Sequence, residues 1–423
     1  MKKIYSLLSV LVLTLTAFAQ TWDGISRTTW TTGDGTATNP YLIETPENLV
    51  YLSDMVAGGE TFAGKFFRLA ANLDMGSKEF PAIGKFDKGT NSATGQEEEN
   101  SLYFLGVLDG DYKTIDNLLI TKAPATTGAI GDLPMSLGGV GLFACANTGT
   151  IIRNLIIGAG SVVNVESDVV GAFIGKMEGG ILENCANLGT VNGSSMTGGL
   201  VGAMTGSSTI RHSVNKGVVA TTGMMASGIV SQMEKNAQVV GCYNTGAVNG
   251  ASFYTGGILG LIWDNSVVSN VYNIGKVSGG STFMGAPQAI VSDVDGDSFR
   301  IEKAFYVQAL TVVDDHYGTG KTADEMKADD ILTALNTGID GIAFVKDEAG
   351  INNGFPILSW ETGVVNGISD LKTVNPAKAT TGNAVVRDLS GKMVATGANA
   401  LPAKAGIYLV SRPGQPTVKV IVK

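Results

Sequence analysis

The chain has 423 residues, of which 57 are glycine and only 11 proline, and a formal net charge of −9. That length allows two or three domains with a sizeable core. A hydrophobic share of 44% argues against disorder, and the glycines follow no Gly-X-Y period, which excludes collagen. The acidic balance disfavours nucleic acid or an anionic membrane as partner.

Residues 1–19 read as a signal peptide. Lys2-Lys3 form its basic start, Leu7 to Leu15 its apolar core, and Ala17-Phe18-Ala19 a small-x-small cleavage site before Gln20. Removing this leader leaves 27 bases against 38 acids, a net charge of about −11. No Cys follows the cleavage site, which argues against a lipid anchor. No later apolar run approaches the ~18 residues a membrane helix needs. The expectation is an exported protein without a transmembrane helix.

Residues 20–137 are expected to hold an N-terminal cap and the first coils of a repeat domain. Thr45-Pro46-Glu47 opens a helix, with Thr as N-cap and Pro in the first turn. Leu49, Leu52 and Val56 form its apolar stripe, and Gly58-Gly59 ends it. Such a helix would cover the open end of a solenoid, where bare strand edges invite aggregation. The acidic run Gln96-Glu97-Glu98-Glu99 reads as a solvated loop.

Residues 138–300 repeat. Ile152, Ile181, Ile210, Val239 and Val268 recur every 29 residues. Gly160/Val162, Gly189/Val191, Gly217/Val219, Gly246/Val248 and Gly275/Val277 form a second register. Phe173-Ile174, Leu200-Val201, Ile229-Val230 and Ile258-Leu259 form a third. A fixed period of this size signals a stacked architecture. The apolar runs are too short and too interrupted by glycine for helices, and leucine-rich spacing is absent. The remaining solution is all-β: a parallel β-helix of ~29-residue coils, each with three strands and three turns. Parallel crossovers are overwhelmingly right-handed, so the solenoid is expected to be right-handed. Asn187, Asn215, Asn244 and Asn273 occupy one register, where turn-tolerant amides can bond from coil to coil.

Gly198-Gly199-Leu200-Val201-Gly202 and Gly256-Gly257-Ile258-Leu259-Gly260 resemble the GLUG motif of bacterial surface proteins, a mostly adhesin-like group. The run Phe104 to Gly110, with Ile115-Asp116-Asn117-Leu118, resembles the coil that precedes such repeats. Asn39 to Ile43, with Phe66-Phe67-Arg68-Leu69, resembles the group's usual opening, and Asn353 to Trp360 its usual close.

Three cysteines remain. Cys185 and Cys242 sit two coils apart in one column, ~9–10 Å from each other, too far for a disulfide. With Ser213 and Val271 between and after them, they read as small inward-facing side chains. Cys145 is the third.

Residues 301–362 form a closing segment. The third register persists as Gly285, but Asp297 falls where the Ile/Val ladder should continue. Asp293-Val294-Asp295-Gly296-Asp297 matches only the first half of a calcium loop, since position twelve is Ala304, and reads as a tight acidic turn. Gly318-Thr319-Gly320-Lys321-Thr322 has Asp315 where a phosphate loop needs its first glycine. Thr322-Ala323-Asp324-Glu325 reads instead as a capping box opening a helix through Met326, Ile331 and Leu335.

Residues 363–423 have a different composition. Ala384 to Val394 reads as strand, turn, strand, and Gly406 to Val410 and Val418 to Lys423 add two more, giving a small antiparallel domain. With its Asp388-Leu389-Ser390-Gly391-Lys392 turn, Gly406-Ile407-Tyr408 strand and basic terminus, this piece resembles the C-terminal sorting domain of the type IX secretion system of Gram-negative bacteria. The resemblance implies a contact with secretion machinery through residues 384–423 and passage across the outer membrane.

No catalytic, cofactor-binding or metal-binding residue is assigned from the sequence. His212, expected in an exposed turn, and His316 are the only histidines, and neither carries a nucleophile signature. A β-helix polysaccharide hydrolase or lyase would need clustered carboxylates. Glu166, Asp168, Glu178, Glu183, Glu234 and Asp264 share no register, and only Glu178 and Glu183 bracket one turn. The reading is therefore an adhesin-like or structural binding scaffold, its ligand a glycan or a host or extracellular protein. The alternatives are a carbohydrate-active enzyme or an inert stalk.

Overall fold

The computed structural model describes residues 21–90, 96–126, 138–167, 169–279, 286–308, 315–340 and 343–362. It also describes four C-terminal strands, Ala384–Arg387, Met393–Gly397, Gly406–Arg412 and Gln415–Val422. The leader, Asp168, Gly285 and the turn at 388–392 lie outside the described residues. The chain divides between Ser359 and Trp360 into two compact units.

The first unit is a parallel β-solenoid. A single coil shows the plan: Val201–Met204, Thr209–Arg211, Val214–Asn215, Val219–Thr221 and Met225–Ser227 follow one another before Val230–Met233 starts the next coil. The three central coils thus carry five short strands each rather than the three expected, while in the coils flanking them the second and third strands merge into Ile151–Ile157 and Val267–Asn273. These strands fall into four sheets, because the second and third strands share one 14-stranded sheet, here the long sheet. Alternate side chains in each strand point inward and stack on their equivalents one coil away.

Three apolar columns fill the interior. Ile174, Val201, Val230, Leu259 and Val291 pair in register, as the third sequence register anticipates. The other two are offset by one residue from the sequence registers in early coils. The Ile/Val column runs Ile152, Leu182, Ile210, Val239, Val268. Leu182 is fully buried and Ile181 is half-exposed beside it. Likewise Val163, not Val162, stacks on Val191. The cause is local: the turn from Ile157 to Val163 is two residues longer than its counterpart from Asn187 to Val191, and the turn through Gly179 and Gly180, both at positive φ, is one residue shorter than its counterpart from Met204 to Ile210. The steps from Ile152 to Leu182 and from Leu182 to Ile210 are therefore 30 and 28, and average to the apparent 29. At the far end the column continues through Ile301, because extra residues precede it, and not through Asp297.

The asparagine column is an amide ladder inside the solenoid. Asn187, Asn215, Asn244 and Asn273 are all buried. Each Nδ2 donates to the next Oδ1 at 2.8 Å, from Asn187 to Asn215, Asn215 to Asn244 and Asn244 to Asn273. Each also donates to the carbonyl two residues on, at Gly189, Gly217, Gly246 and Gly275. The ladder leans on the second glycine of the paired motif. A Cβ at Gly199 would stand 2.6 Å from Asn215 Cγ, and one at Gly228 would collide with Asn244 Cγ. Two features that look separate in the sequence are therefore the two sides of one contact, and only glycine leaves room for it.

Cys185, Ser213, Cys242 and Val271 occupy the small inward column, all fully buried. The three cysteines are free thiols. Burial pushes the Cys242 thiol up to about 12 and raises that of Cys185 as well, so both sit as small apolar groups.

Helix α1, Pro46–Ala57, forms where expected. Leu49, Leu52 and Val56 are buried in the same core as the coils. Asn48 supplies part of its cap, accepting from the backbone N–H of Glu44 and Thr45 at 3.1 Å each. The acidic run is not a loop: Glu97–Glu99 pairs antiparallel with Lys88–Thr90, and Lys88 lies 3.3 Å from Glu99. The Thr322/Glu325 capping box is present, with Thr322 N–H donating to Glu325 at 2.7 Å. It opens only a single turn, Glu325–Lys327. Ala328 is extended, and α2, Asp329–Asn336, follows as a separate helix. Thr319–Lys321 is a strand on the last coil. The Asp315 carboxylate accepts from the backbone of Ile290, Tyr317 and Gly318, so this loop closes on its own carboxyl group rather than on a phosphate.

The second unit holds one antiparallel sheet in the order Met393–Gly397, Ala384–Arg387, Gly406–Arg412, Gln415–Val422.

Candidate functional site

The sequence-level candidates do not converge. Glu178 ends a strand in one sheet, with Tyr103 donating to it at 3.3 Å and Lys88 lying 3.9 Å away. Glu183 lies in the long sheet and is held by Arg211, with Nε at 2.6 Å and Nη2 at 2.5 Å. The two carboxylates therefore belong to different neighbourhoods. Asp293 lies in the strand Val291–Val294, and Gly296 turns the chain at positive φ. Among the described residues, no group of three or more His, Cys, Asp or Glu is placed to hold a metal ion. His316 is exposed beside Tyr317.

His212 is half-buried instead of exposed, and it marks the site the sequence does not reveal. The long sheet bends at one left-handed residue per coil: Asn154, Asn184, His212, Gly241, Asn270 and Lys303, with φ between 48° and 64°. Asn and Gly tolerate this conformation best. Asn184 reaches back to Asn154 at 3.0 Å, which ties adjacent corners together.

Beside this corner runs an outward column. Its rungs are Arg68, Asp109, Arg153, Glu183 and Arg211, and then Val240, Ser269 and Glu302. The first five alternate in charge. Arg153 contacts Asp109 at 2.9 Å, as Arg211 contacts Glu183. Opposite charges on neighbouring rungs favour the native register and disfavour slipped ones. The pattern is hidden in the sequence because its successive steps are 41, 44, 30 and 28 residues.

Where the charges stop, a groove of about 550 Å³ opens. Gly241 contributes no side chain to the corner, and Val240 and Ser269 give a low floor. Thr209 and Gln238 add polar groups to it. Arg211 and His212 stand at one end, and Arg300, Glu302 and Lys303 at the other. Three strand spacings separate Arg211 from Glu302, about 14 Å along the axis. The side wall is Gly338, Ile339 and Asp340. Asn270 places it by donating to the carbonyls of Leu335 and Thr337 at 3.0 Å each, fixing the end of α2 to the corner. Burial lowers the His212 pKa, and the Arg211 charge lowers it further, so the imidazole is neutral at pH 7. The groove can offer guanidinium, imidazole, amide and hydroxyl groups to an elongated polar ligand. A second hollow of about 420 Å³ lies beside α1, between Arg27, Asp54 and Lys122.

No family model matches the chain. Halomucin of Haloquadratum walsbyi is 30% identical over 185 residues, 43% of this chain and 2% of that protein, so the chain spans a small fraction of its relative's length. A crystal structure of a Bacteroides ovatus protein, provisionally described as an immunoglobulin A1 protease, superposes with a TM-score of 0.55 at 20% identity. The match covers 78% of this chain and 94% of that one, and shows a shared fold. A further structure, described as an IgA1 protease, aligns at a TM-score of 0.44 and 13% identity over 89% of this chain and 32% of its own.

Proposed function

We propose that the protein is an exported, surface-displayed or secreted scaffold that binds an extracellular ligand through its lateral face, in an adhesin-like role. The observation that carries this reading is the groove. The solenoid interior is filled by apolar columns and the amide ladder, whereas the lateral face offers an open, polar, elongated hollow. Binding sites are concave with a few placed polar groups, and solenoids bind on their extended sides. The likeness to halomucin and to a protein described as acting on an immunoglobulin supports an extracellular setting. The GLUG-like glycine pairs fit the same setting.

The enzymatic alternative is a carbohydrate-active enzyme using Glu178 and Glu183. It is disfavoured by their separate partners, Tyr103 with Lys88 and Arg211. Probing a glycan and mucin array, then testing each bound glycan for release of reducing ends, separates the two. Retention without turnover is expected, and Glu178→Gln should leave retention unchanged. Turnover abolished by that substitution would overturn the scaffold reading.

Export is proposed to need both ends of the chain: the leader for the inner membrane, and residues 384–423 as a type IX sorting signal. The four-stranded sheet there is consistent with a separately folding tail. Deleting Ala384–Lys423 should leave a folded solenoid in the periplasm, detected by fractionation and protease protection. If the truncated protein reaches the surface or the medium, the tail has some other role.

A further inference from the structure

The charged column ends asymmetrically. Asp109 lies between Arg68 and Arg153, Arg153 between Asp109 and Glu183, and Glu183 between Arg153 and Arg211. Arg211 has an acidic neighbour on one side only. Its next rung is Val240, on the groove floor. The Arg211 side chain is 45% exposed, and its bonds to Glu183 run through Nε and Nη2. A guanidinium has five N–H donors in a planar fork, so the Nη1 edge is left for a further acceptor. An anion resting over Val240 would continue the alternation for one more rung.

We infer that the groove takes a carboxylated oligosaccharide laid along the solenoid axis, with a carboxylate over Val240 against Arg211. This inference rests on the reading of the lateral face as a binding surface and adds the ligand class and the residue that selects it. The floor separates a saccharide from a peptide. Its backbone groups are already used in the parallel ladder from Arg211 through Val240 to Ser269, so a peptide cannot add as a strand. What the floor offers is side-chain hydroxyl and amide, from Thr209, Gln238 and Ser269, at coil spacing along about 10 Å. Sugar hydroxyls match that pattern. At the far end Arg300 is paired with Glu302 at 3.3 Å, beside Lys303, so the selecting cation of the groove is Arg211.

The test is calorimetric titration of the full-length protein with oligogalacturonate, its methyl ester and poly-glutamate. Oligogalacturonate is expected to bind, with the ester weaker by about tenfold or more. Arg211→Gln should weaken oligogalacturonate by a similar factor, and Arg211→Lys should recover part of the loss. Arg153→Gln, the same change on a rung outside the groove, should bind as the wild type does. Thermal melts establish that each variant is folded. Equal binding by Arg211→Gln, or by the ester, overturns the inference. So does tighter binding of poly-glutamate, which would make the ligand an acidic peptide. If oligogalacturonate does not bind while a mucin array retains the protein, this inference fails and the scaffold reading stands. If neither binds, both fail.

Discussion

Replacing Ile210 with Asp is expected to destroy cooperative folding of the central coils. Ile210 is fully buried between Leu182 and Val239 in the Ile/Val column. Burying such a side chain contributes roughly 1.5–3 kcal/mol, all of it lost. The carboxylate then enters an interior where, among the described residues, no Lys, Arg or His is buried to pair it, a penalty of several kcal/mol even after relaxation. A domain's whole stability is commonly about 5–15 kcal/mol. In a solenoid each coil is supported mainly by its two neighbours, so a central break uncouples the coils on either side. The expected result is loss of the sharp thermal transition and rapid proteolysis between residues 181 and 268. Thr209→Asp is the control, since Thr209 precedes Ile210 in the same strand and faces the groove. Its effect should stay near ~0.5 kcal/mol, as for ordinary surface changes. Equal damage from both substitutions would mean the strand's inward and outward faces are misassigned.

Much of this fold was legible because stacking forces similar side chains into the same place every coil. Val201, Val230 and Leu259 are in the sequence at one spacing and in the structure on one column. The asparagines were legible for the same reason, and the ladder gives them a physical cause: each amide bonds to its neighbour one coil away. Sequence spacing and structural register part where a turn changes length. Ile181 looked like a column residue only because 30 and 28 average to 29, and hydrophobicity does not distinguish Ile181 from Leu182. The fourth and fifth strands of each coil are short and lie among glycines, which leaves little periodicity to detect.

The groove was harder to read. Its floor comes from regular coils, but its wall, Gly338 to Asp340, arrives from about 70 to 100 residues downstream. That approach depends on Asn270, which is unremarkable in the sequence until its amide is seen holding the end of α2. Gly241 gave a signal that could have been used: it is the one glycine in a corner column otherwise filled by Asn, His and Lys. A fixed period of 29 conceals the alternation from Arg68 to Arg211. Allowing each coil its own length would have aligned Arg153, Glu183 and Arg211.

Asn215→Asp should be the most informative change in the amide ladder, because it alters one atom type and leaves the shape intact. Asn215 Nδ2 donates to Gly217 O at 2.9 Å and to Asn244 Oδ1 at 2.8 Å, in a fully buried position. In the variant an oxygen faces both acceptors, with Gly199 too close to allow the side chain to withdraw. The carboxylate is also buried without a counter-charge, and leaving such a charge uncompensated costs about 3–5 kcal/mol. Protonation relieves part of this, since the acid O–H can donate to one of the two oxygens. The folded-state pKa of the introduced carboxyl group should therefore lie above its unfolded value of about 3.9. A raised carboxyl pKa means the folded variant binds the proton more readily than the unfolded chain does. Its stability relative to wild type should then rise as pH falls through the folded-state pKa and level off below about 4. Denaturant midpoints for both proteins at about pH 7.5 and about pH 4.5 bracket that window. Asn215→Ala is the comparator, whose deficit should not change with pH at this site. If the Asn215→Asp deficit is equal at the two pH values, the oxygen has found water or another donor, and the ladder is not the closed, dry stack described.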